Sequence, residues 1–315
     1  MAVRIGIGTG LAPPLSPEPF WRWTDLCEQA GIDSIWVSDQ LLGPTAEPLT
    51  LLAALAGRTR RLRLGTNVLV IPFREPVLLA KQIATIDVLS DGRLLPAFGV
   101  GNAVDPLWQA TARDPAPRGR ASDEAITLVR MLLEEEEIAF EGQFFRYHGA
   151  GIQPRRAACP PFWIGGDSEA AIRRSAQLGD GWLGGLSTPE KAGETVARIK
   201  AALVGSGRTI DPDHYGITLP FRIGEPDDPS VVAARERFSK RMPADDAERL
   251  RESFAVGTAD HIAGVLRRFI AHGIEKFVAM PIVRDSEDMI AQTRLLAEQI
   301  IPQVEGNPAR PAPVA

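Results

Sequence analysis

Short apolar runs alternate with longer segments in which apolar residues recur at helical spacing, and this rhythm persists along nearly the whole chain. Val3–Gly8 reads as a buried strand. Glu18–Ala30 then carries Phe20, Trp23, Leu26 and Cys27 on one helical face and stops at Gly31. The same unit recurs. Further strands are predicted at Ser34–Ser38, Leu62–Val70, Arg93–Gly99, Phe162–Ile164, Gly181–Gly184, Tyr215–Ile223 and Lys276–Met280. Helices are predicted at Pro48–Gly57, Pro76–Leu89, Ala121–Glu134, Glu169–Leu178, Pro189–Val204, Ala259–His272 and Ser286–Ile301. Two stretches interrupt the pattern. Ile138–His148 alternates about Glu141-Gly142 like a surface hairpin, and Glu225–Ser253 is charged, too long for an ordinary loop, and expected to be partly helical.

Strands alternating with helices in this number predict an α/β fold, the closed parallel (β/α)8 TIM barrel, with insertions after strands four and seven. Residues 1–302 are expected to form one barrel domain, and 303–315, with Pro308, Pro311 and Pro313, a disordered tail. An open doubly wound sheet is the alternative. Its dinucleotide fingerprint would need a helix directly after the first turn, but Gly8-Thr9-Gly10 is followed by Pro13 and Pro14.

The net charge of −5 gives no broad basic field, which argues against nucleic-acid binding. No run approaches the roughly 20 apolar residues that cross a bilayer, and Met1–Gly10 reads as a strand and not as a signal, so a cytoplasmic protein is expected. Two cysteines, Cys27 and Cys159, are too few for a disulfide framework or a thiolate zinc site.

In such barrels the loops that follow the strands carry the chemistry. By that rule Arg58, Arg60, Arg61 and Arg63 fall on the structural face and read as solvated charge at a helix C-terminus, and Glu134–Glu137 as a solvated turn. The catalytic face holds Asp39 and Gln40, the 67–74 and 101–120 loops, and two glycine-rich loops. Gly165-Gly166-Asp167-Ser168 opens a helix directly after a strand, and Gly184-Gly185-Leu186 lies one strand later. Two readings stay open: an anion cradle of backbone amides, or a tight turn with a simple helix cap. None of His148, His214, His261 and His272 falls on a strand exit, which leaves no metal site or serine-type triad. The chemistry is then expected from a bound organic cofactor.

The runs Asp33-Ser34-Ile35-Trp36-Val37-Ser38-Asp39, Leu64-Gly65-Thr66-Asn67-Val68-Leu69, Leu89-Ser90-Asp91-Gly92-Arg93-Leu94, Trp163-Ile164-Gly165-Gly166 and Gly179-Asp180-Gly181-Trp182, in this order, resemble the luciferase-like monooxygenase superfamily. The resemblance implies flavin mononucleotide (FMN) or the deazaflavin coenzyme F420 across the barrel mouth, and a homodimer. It implies that Asp39 touches the tricyclic ring, that Asn67–Val68 is a non-prolyl cis peptide behind it, and that Val100 and Gly101 line it. Gly165, Gly166, Asp167 and Ser168, with Gly184, Gly185 and Leu186, would hold the phosphate; Arg74, Arg118 and Arg120 could steady an anionic coenzyme tail. Trp108 and Phe73 are expected pocket walls. Two positions depart from relatives: Gln40 replaces a histidine and Asn102 a glutamate acid. Neither amide donates a proton near neutrality, so both are candidate catalytic residues only as substrate-orienting groups, and a sugar dehydrogenase is disfavoured. The leading expectation is F420-dependent hydride transfer with a small organic substrate. The alternatives are an FMN monooxygenase using O2 and supplied by a separate reductase, and a non-catalytic flavin-binding protein.

Overall fold

The computed structural model describes residues 3–239 and 254–304. Strands β1 (Arg4–Gly8), β2 (Ser34–Val37), β3 (Arg63–Thr66), β4 (Leu69–Val70), β5 (Leu94–Leu95) and β6 (Ala97–Gly99) make up the first four staves of a barrel. The remaining staves are β9 (Trp163–Gly165), β10 (Gly181–Gly184), β11 (Tyr215–Ile223) and β13 (Lys276–Pro281), and the antiparallel hairpin of β7 (Glu137–Glu141) and β8 (Arg146–Ala150) stands apart. Between staves run α1 (Pro17–Gln29), α2 (Pro48–Arg58), α3 (Pro76–Leu89), the short α4 (Leu107–Ala110), α5 (Arg118–Glu134), α6 (Glu169–Leu178) and α7 (Pro189–Leu203).

The sheet runs β4-β6-β9-β10-β11-β13-β1-β2-β3-β5, all parallel. Because β3 continues into β4 and β5 into β6, the pairings β3·β5 and β4·β6 join the two ends and close an eight-stave barrel. Two predicted strands are therefore each broken in two. Leu62–Val70 is interrupted at the cis peptide Asn67–Val68, and Arg93–Gly99 at Pro96, which has no N–H to give a ladder. A further strand, β12 (Ala255–Gly257), pairs with β11 and lies just past the predicted insert. Of that insert, α8 (Pro229–Ser239) is described and the expectation for 240–253 lies outside the described residues. The described residues close with α9 (Ala259–Ala271), α10 (Ser286–Leu295), a π-turn and a helical turn over Ile301–Val304, so helix continues two residues past the expected domain end. Residues 305–315 lie outside the described set.

The staves are buried on both faces, as parallel strands flanked by helices must be. Their outward residues pack with the helices, while Trp36, Trp163, Leu95, Leu183 and Val278 fill the inside. Trp36 and Trp163 meet edge-on at 5.7 Å. Glycine opposite each ring makes this possible: a Cβ at Gly65 would fall 2.3 Å from Trp36, and one at Gly181 2.5 Å from Trp163. Below them Lys276, wholly buried, pairs with Asp33 and plugs the end where strands begin.

The basic cluster at 58–63 is solvent-exposed at Arg58, Arg60 and Arg61, as expected of charge at a helix C-terminus, and it is also tied to α1. Arg61 donates to the carbonyls of Cys27, Glu28 and Ile32 and closes the end of α1, and Arg58 pairs with Asp25 at 2.6 Å. No helix among the described residues is long and apolar enough to cross a membrane.

Candidate functional site

A cavity of about 630 Å3 opens where the strands end. One wall comes from staves one to three, with Gly10, Leu11, Ser38, Asp39, Gln40, Asn67 and Val68; the facing wall comes from the loops after β9 and β10. Thr218, Pro220 and Met280 close it.

The cis Asn67–Val68 peptide forms the floor on the first side. Asn67 Oδ1 accepts from Thr218 Oγ1 across the barrel at 3.1 Å. Val68 packs down between two glycines, since a Cβ at Gly99 would lie 2.6 Å from its Cγ2 and one at Gly165 3.0 Å from its Cγ1. Gly165 thus serves the bulge as much as any ligand.

Asp39 holds the bulge from the side. Its carboxylate, 1% exposed, accepts the Val70 amide at 2.8 Å and takes Arg74 bidentately at 2.6 and 3.1 Å. Arg74, 11% exposed, also donates to the Val70 carbonyl and lies 3.4 Å from Glu47. Glu47 caps α2 through the Thr50 amide; burial acts to raise its pKa, but the Thr50 hydrogen bonds and Arg74 hold it below the ordinary value. Arg74 is thus paired with Asp39 and the Val70 carbonyl in this structure. Arg120 lies over the Phe144 ring at the hairpin, and Arg118 bonds the Pro115 carbonyl.

On the facing wall Gly166 adopts φ +105°, a left-handed conformation that excludes a side chain at little cost only in glycine. Trp182 Nε1 fixes that turn by donating to the Gly166 carbonyl at 2.7 Å. Ser168 is the N-cap of α6, accepting from the Ala171 amide, and does not line the cavity. A Cβ at Gly185 would meet open space. The amides of Gly166, Asp167, Gly185 and Leu186 make no backbone bond among the described residues. Asp167 pairs with Lys191 at 2.9 Å.

Other expected residues are placed elsewhere. Val100, Gly101 and the exposed Asn102 are not on the lining of this cavity; a Cβ at Gly101 would face Val70 and Trp108, and Asn102 takes the Val104 amide on Oδ1 and Trp108 Nε1 on its carbonyl. Phe73 and Trp108 pack against each other with ring centres 4.4 Å apart and planes tilted by 47°, and do not line the cavity. Gln40 is at the rim, with Nε2 3.4 Å from the Gly10 carbonyl. No histidine is among the lining residues. Sequence reasoning missed Ser38, Thr218, Pro220 and Met280. The inward alternation of Thr218 and Pro220 along the β11 stretch would have flagged two of them.

A volume in the range of small-molecule sites, a floor raised by the bulge and a glycine cradle with unpaired amides fit a tricyclic ring carrying a phosphate tail. The luciferase-like monooxygenase family description matches residues 3–276. The chain belongs to the luciferase-like family. An F420-dependent glucose-6-phosphate dehydrogenase of Intrasporangium calvum is 30% identical over 240 residues, covering 72% of this chain and 71% of the relative. Among solved structures, a monooxygenase of Streptomyces bottropensis superposes with a TM-score of 0.81 at 22% identity, covering 95% of this chain and 99% of that one. An F420-dependent secondary alcohol dehydrogenase bound to an F420–acetone adduct gives 0.80 at 21% identity, covering 96% and 99%. At these identities the two structures show this luciferase-like protein's fold.

Proposed function

We propose that this luciferase-like protein is an F420-dependent oxidoreductase that moves hydride to or from a small organic substrate. The observation that carries the reading is the character of the cavity. Both carboxylates on its lining, Asp39 and Asp167, are held in ion pairs, and no histidine, cysteine or tyrosine faces it among the described residues. Beyond these paired carboxylates its polar side chains are amides and hydroxyls such as Ser38 and Thr218, a lining that binds and orients and offers no free general acid or base among the described residues. When bound, F420 would supply the hydride chemistry. The amides of Gly166, Asp167, Gly185 and Leu186 would hold its phosphate, Asn67 and Val68 would back the ring, and Gln40 would orient the substrate from the rim. Asn102, turned into its own loop, offers no acid for a sugar, so glucose 6-phosphate is not expected to turn over despite the dehydrogenase relative.

The second reading is an FMN-dependent monooxygenase, which the family description and the Streptomyces neighbour support. In either reading residues 1–302 act as one domain in a cytoplasmic homodimer, with a separate reductase returning the cofactor to its reduced form. Fluorescence-quenching titration with F420 and with FMN tests both. Micromolar binding of F420 in preference to FMN is the expected outcome. Tighter binding of reduced FMN together with oxygen uptake would transfer the reading to the monooxygenase, and binding of neither would overturn both.

A further inference from the structure

A second cavity, of about 40 Å3, lies beside the exit of β1. Its walls come from the loop over 12–16, the first turns of α1 and α10, and the chain around the start of α2. Pro13, Phe20, Trp23, Leu51 and Met289 make it mostly apolar, and no charged side chain lines it among the described residues. Thr9, just past β1, and Thr45, in the loop after β2, belong to the same lining. Thr9 is 5% exposed, and its backbone is fully tied, the amide to the Trp36 carbonyl and the carbonyl to the Ala12 amide. The side chains are another matter. The hydroxyl oxygens of Thr9 and Thr45 are both buried, and neither meets a hydrogen-bond partner. Gly10 and Leu11, the two residues after Thr9, line the large cavity instead.

We propose that this small cavity is a second binding site, for a small neutral molecule with an apolar skeleton and a single oxygen, an alcohol or a ketone. A buried hydroxyl without a partner costs about 1–3 kcal/mol, so two on one lining call for a polar atom between these walls. Water answers that need poorly. An ordered water makes about three hydrogen bonds and takes about 10–15 Å3 of such space, whereas this cavity is larger and mostly apolar. An alcohol or ketone meets both halves of the lining. Its oxygen takes the threonine hydroxyls, and its carbons pack on Phe20, Trp23 and Met289. A charged ligand would lose its hydration with no opposite charge on the lining to replace it. The inference is independent of the cofactor reading, which concerns the large cavity.

Tryptophan indoles report on both cavities at once, because Trp23 lines the small one and Trp182 the large one. The test follows the indole N–H signals of full-length protein carrying 15N-labelled tryptophan, assigned with Trp23→Phe and Trp182→Phe, during titration with 2-butanol and with 2-butanone. The Trp23 signal should move along a saturating curve in the millimolar range, as suits a ligand of so few atoms, while Trp182 stays still. Thr9→Val/Thr45→Val keeps the shape of both side chains and removes the two oxygens. It should weaken both probes about tenfold. Ala46→Leu, which fills the cavity from its wall, should abolish the Trp23 response. If the double valine variant does not fold, Thr9→Val and Thr45→Val taken singly decide, each expected to weaken the probes about threefold. No saturable movement of Trp23 would overturn the inference and leave the hydroxyls to water. A response at Trp182 alone would overturn it by moving the probes to the large cavity. Wild-type affinity in the valine variants would overturn it as well, since the oxygen would then have no role in recognition.

Discussion

Asp87, on the last turn of α3, has its side chain 5% exposed, an Oδ1 that meets no donor, and Arg156 3.9 Å away as its nearest cation. Burial, only partly offset by Arg156, pushes its carboxyl up to about 6. In the unfolded chain the same group titrates near 4. The folded protein therefore binds this proton more tightly, and the stability tied to Asp87 declines as pH rises from about 4 through about 6. Asp87→Asn removes the ionisation and should make the protein more stable at neutral pH by about 1–3 kcal/mol. Urea melts across the acid range should show the gap closing towards pH ~4; a gap that does not change with pH would place the effect elsewhere. In the sequence Asp87 is one more polar residue beside the Ser90-Asp91-Gly92 turn. Asp39 was legible from its place after a strand. Its partner Arg74, 35 positions on, was not, because pairing between neighbouring loops leaves no trace in local spacing.

At the scale of elements, hydrophobic rhythm placed all eight staves and the helices behind them, because alternating and helical periods are local properties of the chain. The breaks were less legible. Pro96 marks its own interruption, but the cis peptide at Asn67–Val68 came from family resemblance, and β12 is three residues beside a charged segment with no alternation of its own. The glycine loops were visible, while the division of labour among their glycines was not. Gly165 is needed by Val68, Gly166 by its positive φ, and Gly185 by neither, since a methyl there would stand in open space on the cavity lining. Gly185→Ala should therefore leave the melting temperature nearly unchanged. If this loop cradles a phosphate, the added methyl should weaken FMN by about tenfold, near 1.4 kcal/mol, and riboflavin hardly at all. Equal loss for both would remove the phosphate from this loop.

The whole barrel separates its two ends by chemistry. Where strands end, glycines and amides leave a cavity; where they begin, ions and aromatic rings fill the interior. Lys276 begins β13 and pairs with Asp33 just ahead of β2, with Arg4 3.6 Å from the same carboxylate and the Lys276 ammonium 5.7 Å from the centre of the Trp36 ring. Burial alone would raise the Asp33 pKa, but Lys276 and then Arg63 hold it below the usual carboxylate range. Breaking such a pair by removing one partner strands a buried charge, whereas replacing both can be nearly neutral. Lys276→Met should accordingly destabilise the fold by about 3 kcal/mol, Arg4 remaining to Asp33, and Asp33→Asn/Lys276→Met should recover much of it. Because Trp36 and Trp163 stand between this plug and the cavity, cofactor affinity should change little in whichever variant stays folded. Urea denaturation with F420 and FMN titrations on the same samples measures both. A loss of affinity without a loss of stability would mean that the two ends of the barrel are coupled through its aromatic middle, and that the plug belongs to the functional site.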